Sequence, residues 1–347
     1  MPLEVLIAGI LLIALTIYGL SGGADFGAGV WDLLASGPRA AAQRELIAKA
    51  IAPIWEANNV WLVLLVVVLF TGFPAAFAAI LTALNIPLSI MLVGIVLRGA
   101  AFAFRSHTRT EPGATRGAAH NPGGKVWGRL FAIGSIVTPV MLGVCLGALS
   151  SGSIRVENGV VTSGFFRSWL TPFTWAVGAL ALALFAYLAA LYLAAEAPAT
   201  APVRADFRRR AAAAGIAAAL LAALVYGLAL DGAPRIAAGL TASPWALLMV
   251  GVTTLTVLGA LWALRQDRVY LARALGVAQV VFILWGWAAG QYPYLVVPDL
   301  TLQNTAAPAA TLRLLLIALV AGAVVLFPSF YYLYRVFKGP AAFLIRE

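Results

Sequence analysis

IAPIWEANNVWLVLLVVVLF, residues 51–70, decides how the chain is read. Its last two-thirds are unbroken apolar residues, and the whole stretch matches the ~20 residues needed to cross the hydrocarbon core of a bilayer. Its first third nevertheless holds Glu56, the adjacent Asn58 and Asn59, and the tryptophans Trp55 and Trp61. A carboxylate at the centre of a transmembrane helix costs about 2.5–3.5 kcal/mol on insertion scales, and less near an end. A membrane segment that keeps such a group is a candidate working part of the protein.

The rest of the chain reads the same way. Of its 347 residues, 63% are hydrophobic and only 10% charged, and the mean hydropathy is +0.96. Soluble domains are about 25% charged. Apolar stretches recur at about residues 3–24, 52–71, 75–104, 127–150, 172–195, 211–230, 244–264, 271–290 and 312–334, and each is long enough to span. Polar, turn-forming segments such as 105–125, 196–210 and 298–311 connect them. The first stretch has no basic n-region, and its apolar run is too long for a signal peptide, so it is read as the first transmembrane helix. The expectation is an all-α polytopic membrane protein, one integral membrane domain over residues 1–347, with about nine transmembrane helices. Two four-helix bundles plus one peripheral helix are a natural arrangement for that number.

Basic residues orient the chain. With the N-terminus outside and the C-terminus cytoplasmic, 18 of the 23 Lys and Arg fall in inner segments and four in outer ones, Arg98 lying within a span. Cytoplasmic loops are enriched in this way. The net charge of +10 is therefore a membrane-orientation signal and not a nucleic-acid footprint. The single cysteine, Cys145, lies in an apolar run, and reads as a small packing residue.

Three ionisable residues stand out: Asp25, Glu56 and Arg98. In the expected orientation Asp25 closes the cytoplasmic end of the first helix. Glu56 lies ~5 Å into the second, and Arg98 ~9 Å before the end of the third, at 1.5 Å rise per residue. All three share one depth. Pro53 suits a helix first turn, and the helix N-terminus favours a carboxylate at Glu56. Asn59 shares a face with Glu56, and Asn58 lies three residues from both Trp55 and Trp61. The functional reading is a proton-uptake path lined by Glu56 and Asp25, with Arg98 setting their charge. The alternative is that the three groups only neutralise one another and fix helix register.

The motifs GGADFGAGVWDLL (22–34), APIWEANNVWLV (52–63), GFPAAFAAI (72–80) and QYPYLVVPDLTLQNTAAPAATL (291–312) resemble the second subunit of cytochrome bd-type quinol oxidases. The likeness extends over most of the chain. It implies nine helices with the N-terminus outside, in a complex of the prokaryotic plasma (inner) membrane that oxidises quinol and reduces O2 to water. It also implies that haem b and haem d sit in the partner, subunit I, and that this chain alone binds no cofactor. Small accessory membrane subunits, quinol and lipid are further implied partners, and a structural quinone is an implied ligand that no motif locates. By the same resemblance Asp25, Glu56 and Arg98 match positions linked to proton uptake, oriented by Trp55, Asn58 and Trp61. The family often has an additional Asp where this chain has Gly22, and His where it has Asn59. The uptake path, on which Asn59 and Ser21 are also placed, is thus expected either to be rearranged or to rely on water and Ser21.

His107 and His120 both lie in a loop, and Met91, Met141 and Met249 are isolated in apolar spans, so no helix offers an evident haem ligand set and no metal-ligand spacing occurs. The rival class is a proton-coupled secondary transporter; Pro87 and Pro139 interrupt spans as such folds allow, but the charges crowd one face and no repeat is evident. A pure scaffold is the third reading. Trp285, Trp287, Tyr292 and Tyr294 read as an interfacial aromatic belt, and Arg208–Arg210 with Tyr331, Tyr332 and Tyr334 as anchors at the inner face.

Overall fold

The structure is a computed structural model that describes residues 2–51, 55–110, 122–241 and 244–338. Thirteen helices and two small hairpins follow one another: α1 (Leu3–Leu33), α2 (Ala40–Ile51), α3 (Trp55–Gly72), α4 (Pro74–Ala83), α5 (Asn85–Thr110), α6 (Pro122–Ser151), β1 (Val156–Glu157), β2 (Val160–Val161), α7 (Pro172–Glu196), α8 (Pro202–Gly232), α9 (Pro234–Thr241), α10 (Pro244–Arg265), α11 (Val269–Gln291), β3 (Tyr294–Val296), β4 (Leu300–Thr301), α12 (Leu302–Thr305) and α13 (Ala309–Lys338). Eight of the helices are long and apolar enough to cross a bilayer, and the pair α3–α4, bent by 119°, makes a ninth candidate. The chain is a polytopic all-α membrane protein.

Three expectations need correction. The first helix does not end near residue 24 but runs on to Leu33, because Gly22, Gly23, Gly27 and Gly29 are there for close packing rather than for a turn. A Cβ on Gly23 would meet the Phe185 ring at 2.6 Å, one on Gly27 would overlap the Phe185 carbonyl of α7, and one on Gly29 would overlap Ser135 of α6. Asp25 therefore lies two turns inside the helix. The expected single span 75–104 is broken after Leu84. Pro74 opens α4, and Pro87 falls in the first turn of α5, both places where a missing N–H costs no helical hydrogen bond. The segment between the first two expected spans and the connectors 105–125, 196–210 and 298–311 also contain helix: α2, the end of α5 with the start of α6, the first turns of α8, and α12.

α1 is the hub, packed against α3, α6 and α7. α5 lies along α6 to complete one group of four helices, while α7, α8, α10 and α11 pack into a second, and α13 rests on α3 and α1. Small residues set these crossings. A Cβ on Gly134 (α6) would meet the Gly94 carbonyl (α5) at 2.5 Å, and one on Gly178 (α7) would meet the Val140 carbonyl (α6) at 2.7 Å. Helices in lipid associate through such close backbone approach, since burying apolar surface drives nothing there. Accordingly Leu314, Ile317, Val320 and Val324 of α13, and Val63 and Phe70 of α3, remain exposed, as lipid- or partner-facing residues do.

At the end carrying the basic loops, the arginines act as helix caps rather than only as surface anchors. Arg208 donates from Nε to the Leu264 carbonyl (2.9 Å) and from Nη2 to that of Arg265 (3.2 Å) at the end of α10. Arg210 donates to the Leu34 carbonyl just past α1 (3.1 Å) and to Gln43 Oε1 of α2 (2.9 Å). Arg39 grips Asp206 of α8 with two bonds of 2.8 and 2.6 Å. Cationic donors satisfy the carbonyls that a helix C-terminus leaves unpaired. At the opposite end, Asp299 accepts from Arg155 Nε (2.9 Å) and from the Val156 N–H (2.8 Å), which ties the β1–β2 hairpin to the segment before α12. There Thr301 and Asn304 form a reciprocal cap.

Candidate intramembrane charge site

The site grows from α1, α5 and α6. The Arg98 guanidinium donates from Nη2 to Asp25 Oδ1 (2.7 Å) and to the Asp25 main-chain carbonyl (3.1 Å), and from Nε to Ser135 Oγ (3.1 Å). Ser135 in turn donates to the Phe131 carbonyl at 2.7 Å. Asp25 is 8% exposed and Arg98 5%. The guanidinium lies over the rings of Phe26 (4.7 Å) and Phe131 (5.0 Å), whose negative faces favour a cation. A buried charge is tolerable only when it is paired and further hydrogen-bonded; Arg98 is paired with Asp25, and its Nε and Nη2 donors are bonded.

Glycine makes this geometry accessible. α5 approaches α6 where Gly94 and Gly134 face each other's backbone, and a Cβ on Gly134 would also meet the Arg98 Cβ at 3.0 Å. Gly29 lets α1 close on Ser135. With larger residues at these points, the guanidinium could not reach α1 and α6 together.

Asp25 and Arg98 are thus brought together. Glu56 and Trp55 have their backbone in the first turn of α3, while their side chains lie outside the described residues. Asn58, 3% exposed, donates from Nδ2 to the Ser21 carbonyl at 3.4 Å, one turn before Asp25, a link that ties α3 to α1. The Ser21 hydroxyl donates back to the Ile17 carbonyl at 2.8 Å. Asn59 is half-buried. Trp61 belongs to an apolar cluster with Tyr18, Phe26 and Phe185, and stacks on Phe330 of α13 at 5.6 Å. It holds the helices around the charges rather than touching the charges themselves.

Sequence reasoning missed several residues. Ser135, Phe26 and Phe131 frame Arg98, and only the pairing of α5 with α6 reveals them. Asp32 is 7% exposed within α1; it stands seven residues from Asp25 and so on the same helix face, which a helix running past residue 24 would have exposed to view. The aromatics taken as a belt also bond inward: Trp287 Nε1 donates to Ser150 Oγ (2.7 Å) and Trp285 Nε1 to Thr16 Oγ1 (3.2 Å). Among the described residues no three His, Cys, Asp or Glu side chains gather into a metal-holding group. His120 and the His107 side chain lie outside the described residues.

Comparison with known proteins gives a consistent answer. The profile of the family described as "Cytochrome bd terminal oxidase subunit II" matches residues 3–337. A Bacillus subtilis (strain 168) protein named "Putative cytochrome bd menaquinol oxidase subunit II" is 22% identical over 342 residues, 95% of this chain and 94% of that one. The "Cytochrome bd-I ubiquinol oxidase subunit 2" of Escherichia coli (strain K12) is 27% identical over 191 residues, 54% of this chain and 46% of that one. The structure of the bd oxidase from Geobacillus thermodenitrificans contains a chain that superposes with a TM-score of 0.79 at 25% identity, covering 98% of this chain and 100% of that chain.

Proposed function

Since the chain belongs to the cytochrome bd terminal oxidase subunit II family and is a multi-pass membrane subunit of a quinol oxidase complex, we propose that its own part in the reaction is to conduct protons from the cytoplasm toward an oxygen-reducing, haem-bearing partner. The observation that carries this reading is the Asp25–Arg98 pair, held inside three membrane helices at 2.7 Å. The expense of an ion pair at this depth is the kind that ion and proton pathways bear. The haems, expected in the partner, supply the electron transfer and oxygen chemistry when bound. Glu56, at the start of α3, is the first of the acids from the cytoplasmic side in the expected orientation and takes up the proton. Asp25 receives it next, and Arg98 supplies the counter-charge that keeps the carboxylate in place between transfers. Asn58 and Ser21 fix the spacing of α3 and α1 between the two acids. The chain has no catalytic role by itself in this scheme.

The test is Glu56→Gln and Asp25→Asn in the assembled oxidase. Both substitutions keep shape and remove the exchangeable carboxyl proton. The expected result is loss of quinol-driven oxygen consumption by roughly 100-fold for the more important of the two, the low end of what proton transfer by a placed side chain contributes, with the haem spectrum retained. Unchanged turnover in both would assign the pair to helix register alone.

A further inference from the structure

Outward from the Asp25–Arg98 pair, toward the end opposite the basic loops, α1 and α6 carry two hydroxyls that the uptake scheme does not use. Tyr18 and Thr138 are each 1% exposed, and Tyr18 Oη and Thr138 Oγ1 have no hydrogen-bond partner among the described residues. Leaving one buried hydroxyl unpaired costs about 1–3 kcal/mol, so two on helices that pack together call for an explanation. Their placement is coherent. Thr138 is one turn beyond Ser135 on α6, and its Oγ1 lies 2.6 Å from where a Cβ on Gly94 would stand. Gly94 is in turn one turn before Arg98 on α5. Tyr18 is two turns before Asp25 on α1, about 10 Å along the axis. It belongs to an apolar cluster with Trp61, against which Ile95, next to Gly94, and Leu142, one turn beyond Thr138, also pack. The next position on α6 adds a third unspent group: Pro139 lies inside the helix and has no N–H to give the Ser135 carbonyl four residues back.

We propose that Tyr18, Thr138 and the Ser135 carbonyl line a hydrated seam between α1, α5 and α6 that carries protons onward from Asp25, making Tyr18 and Thr138 relay residues of this subunit. This rests on the uptake reading above and extends it to residues and a direction. Water is what the seam calls for: the two hydroxyls have no partner among the described residues, Pro139 withholds the N–H that the Ser135 carbonyl would otherwise receive, and a buried water bonded to such groups would satisfy them. A proton leaving Asp25 protonates the first water. Each hydroxyl then accepts a proton on its inner side as it gives up its own on the outer side, so that one proton enters and one leaves, and no charge or covalent change stays behind. Gly94 is part of the device, since a side chain there would fill the place beside Thr138.

The experiment uses the assembled oxidase with its partner, reconstituted in vesicles. Tyr18→Phe and Thr138→Val, near-isosteric and each lacking a hydroxyl, are expected to slow quinol-driven oxygen consumption roughly three- to tenfold each, the worth of one lost hydrogen bond in a rate-determining chain. The solvent deuterium isotope effect should rise, the haem spectrum should stay unchanged, and Thr138→Ser should restore the rate. If Asp25→Asn slows turnover but the Tyr18→Phe/Thr138→Val double variant keeps both the rate and the isotope effect of the parent, the seam is refuted and the uptake reading stands. If Asp25→Asn is itself without effect, the uptake reading fails first and the seam with it. Should a variant not assemble, a high-resolution structure of the unmutated complex decides: ordered water within hydrogen-bond distance of Tyr18 Oη and Thr138 Oγ1 supports the seam, and a dry contact there overturns it.

Discussion

Arg98 holds α1 by two handles, the Asp25 carboxylate at 2.7 Å and the Asp25 main-chain carbonyl at 3.1 Å from the same Nη2. The two losses should therefore be unequal. Arg98→Leu leaves a buried carboxylate with no counter-charge and is expected to cost about 3–5 kcal/mol, enough to prevent recovery of an assembled complex. Asp25→Asn keeps a neutral acceptor for the guanidinium and should cost less, about 1–3 kcal/mol, so the complex assembles with a lowered melting temperature. Arg98→Leu combined with Asp25→Leu removes both charges and should be more stable than Arg98→Leu alone. Thermal denaturation of the detergent-solubilised complex, followed by the haem absorbance, measures all three; equal losses for the two single variants would show that the pair is not coupled as the geometry says.

Gly27 and Gly9 lie on the same helix and should respond in opposite ways to one methyl group. A Cβ on Gly27 would overlap the Phe185 carbonyl, whereas one on Gly9 meets nothing within 4 Å. Gly27→Ala should push α1 from α7, break the Trp31 Nε1 bond to the Ala186 carbonyl (2.7 Å), and destabilise the subunit by about 1–3 kcal/mol or more, as overpacking does. Gly9→Ala should be neutral. The yield of folded subunit after membrane extraction separates the two.

That contrast also shows what could be read from residue order and what could not. Hydropathy finds the spans, because bilayer thickness fixes their approximate length, and the basic residues cluster strongly enough to suggest an orientation. The depth of Asp25 and Arg98 does not follow from counting alone: α1 runs on to Leu33 and α5 to Thr110, so both lie further from their helix ends than the expected spans put them. Gly22–Asp25, however, looks identical whether it ends a helix or lets one approach a neighbour; only Phe185, 160 or more residues later in the chain, tells the two apart. Arg208 and Arg210 likewise read as lipid anchors until α10 and α1 present their last carbonyls to them. The Pro74 and Pro87 signals for a break in the third span were present in the sequence, but a continuous apolar run outweighed them. Ser135, Tyr18 and Thr138 were invisible for a simpler reason: a hydroxyl in a span satisfies itself on its own helix unless packing prevents it.

Asp206 straps α8 to α2 through Arg39 (2.6 Å) and Gln43 (2.9 Å), and α2 leads directly toward the start of α3. Asp206→Asn is expected to loosen α2 while leaving the membrane helices intact, and high salt should produce part of the same effect on the parent protein, because Arg39 is half exposed and such pairs are screened. Hydrogen exchange at residues 40–51 should be several-fold faster in the variant at low salt, with little change in α7. Equal exchange in variant and parent would mean that α2 is held by its apolar face, through Ile47, and not by the strap.

Trp287 and Ser150 provide the sharpest test of whether the aromatics near the hairpin end only sit at an interface. Ser150 Oγ accepts the Trp287 indole N–H at 2.7 Å and donates to the Leu146 carbonyl at 3.1 Å, so both of its hydrogen-bonding roles are used and α11 is pinned to α6. A belt residue held only by its liking for the headgroup region would lose nothing when Ser150 changes. A hydrogen-bonded one would lose about 0.5–1.5 kcal/mol, and the Trp287→Phe and Ser150→Ala losses would not add. A double-mutant cycle on thermal stability isolates that coupling. A coupling energy near 1 kcal/mol identifies the bond as a structural link between the two helix groups, and additive losses return Trp287 to the belt.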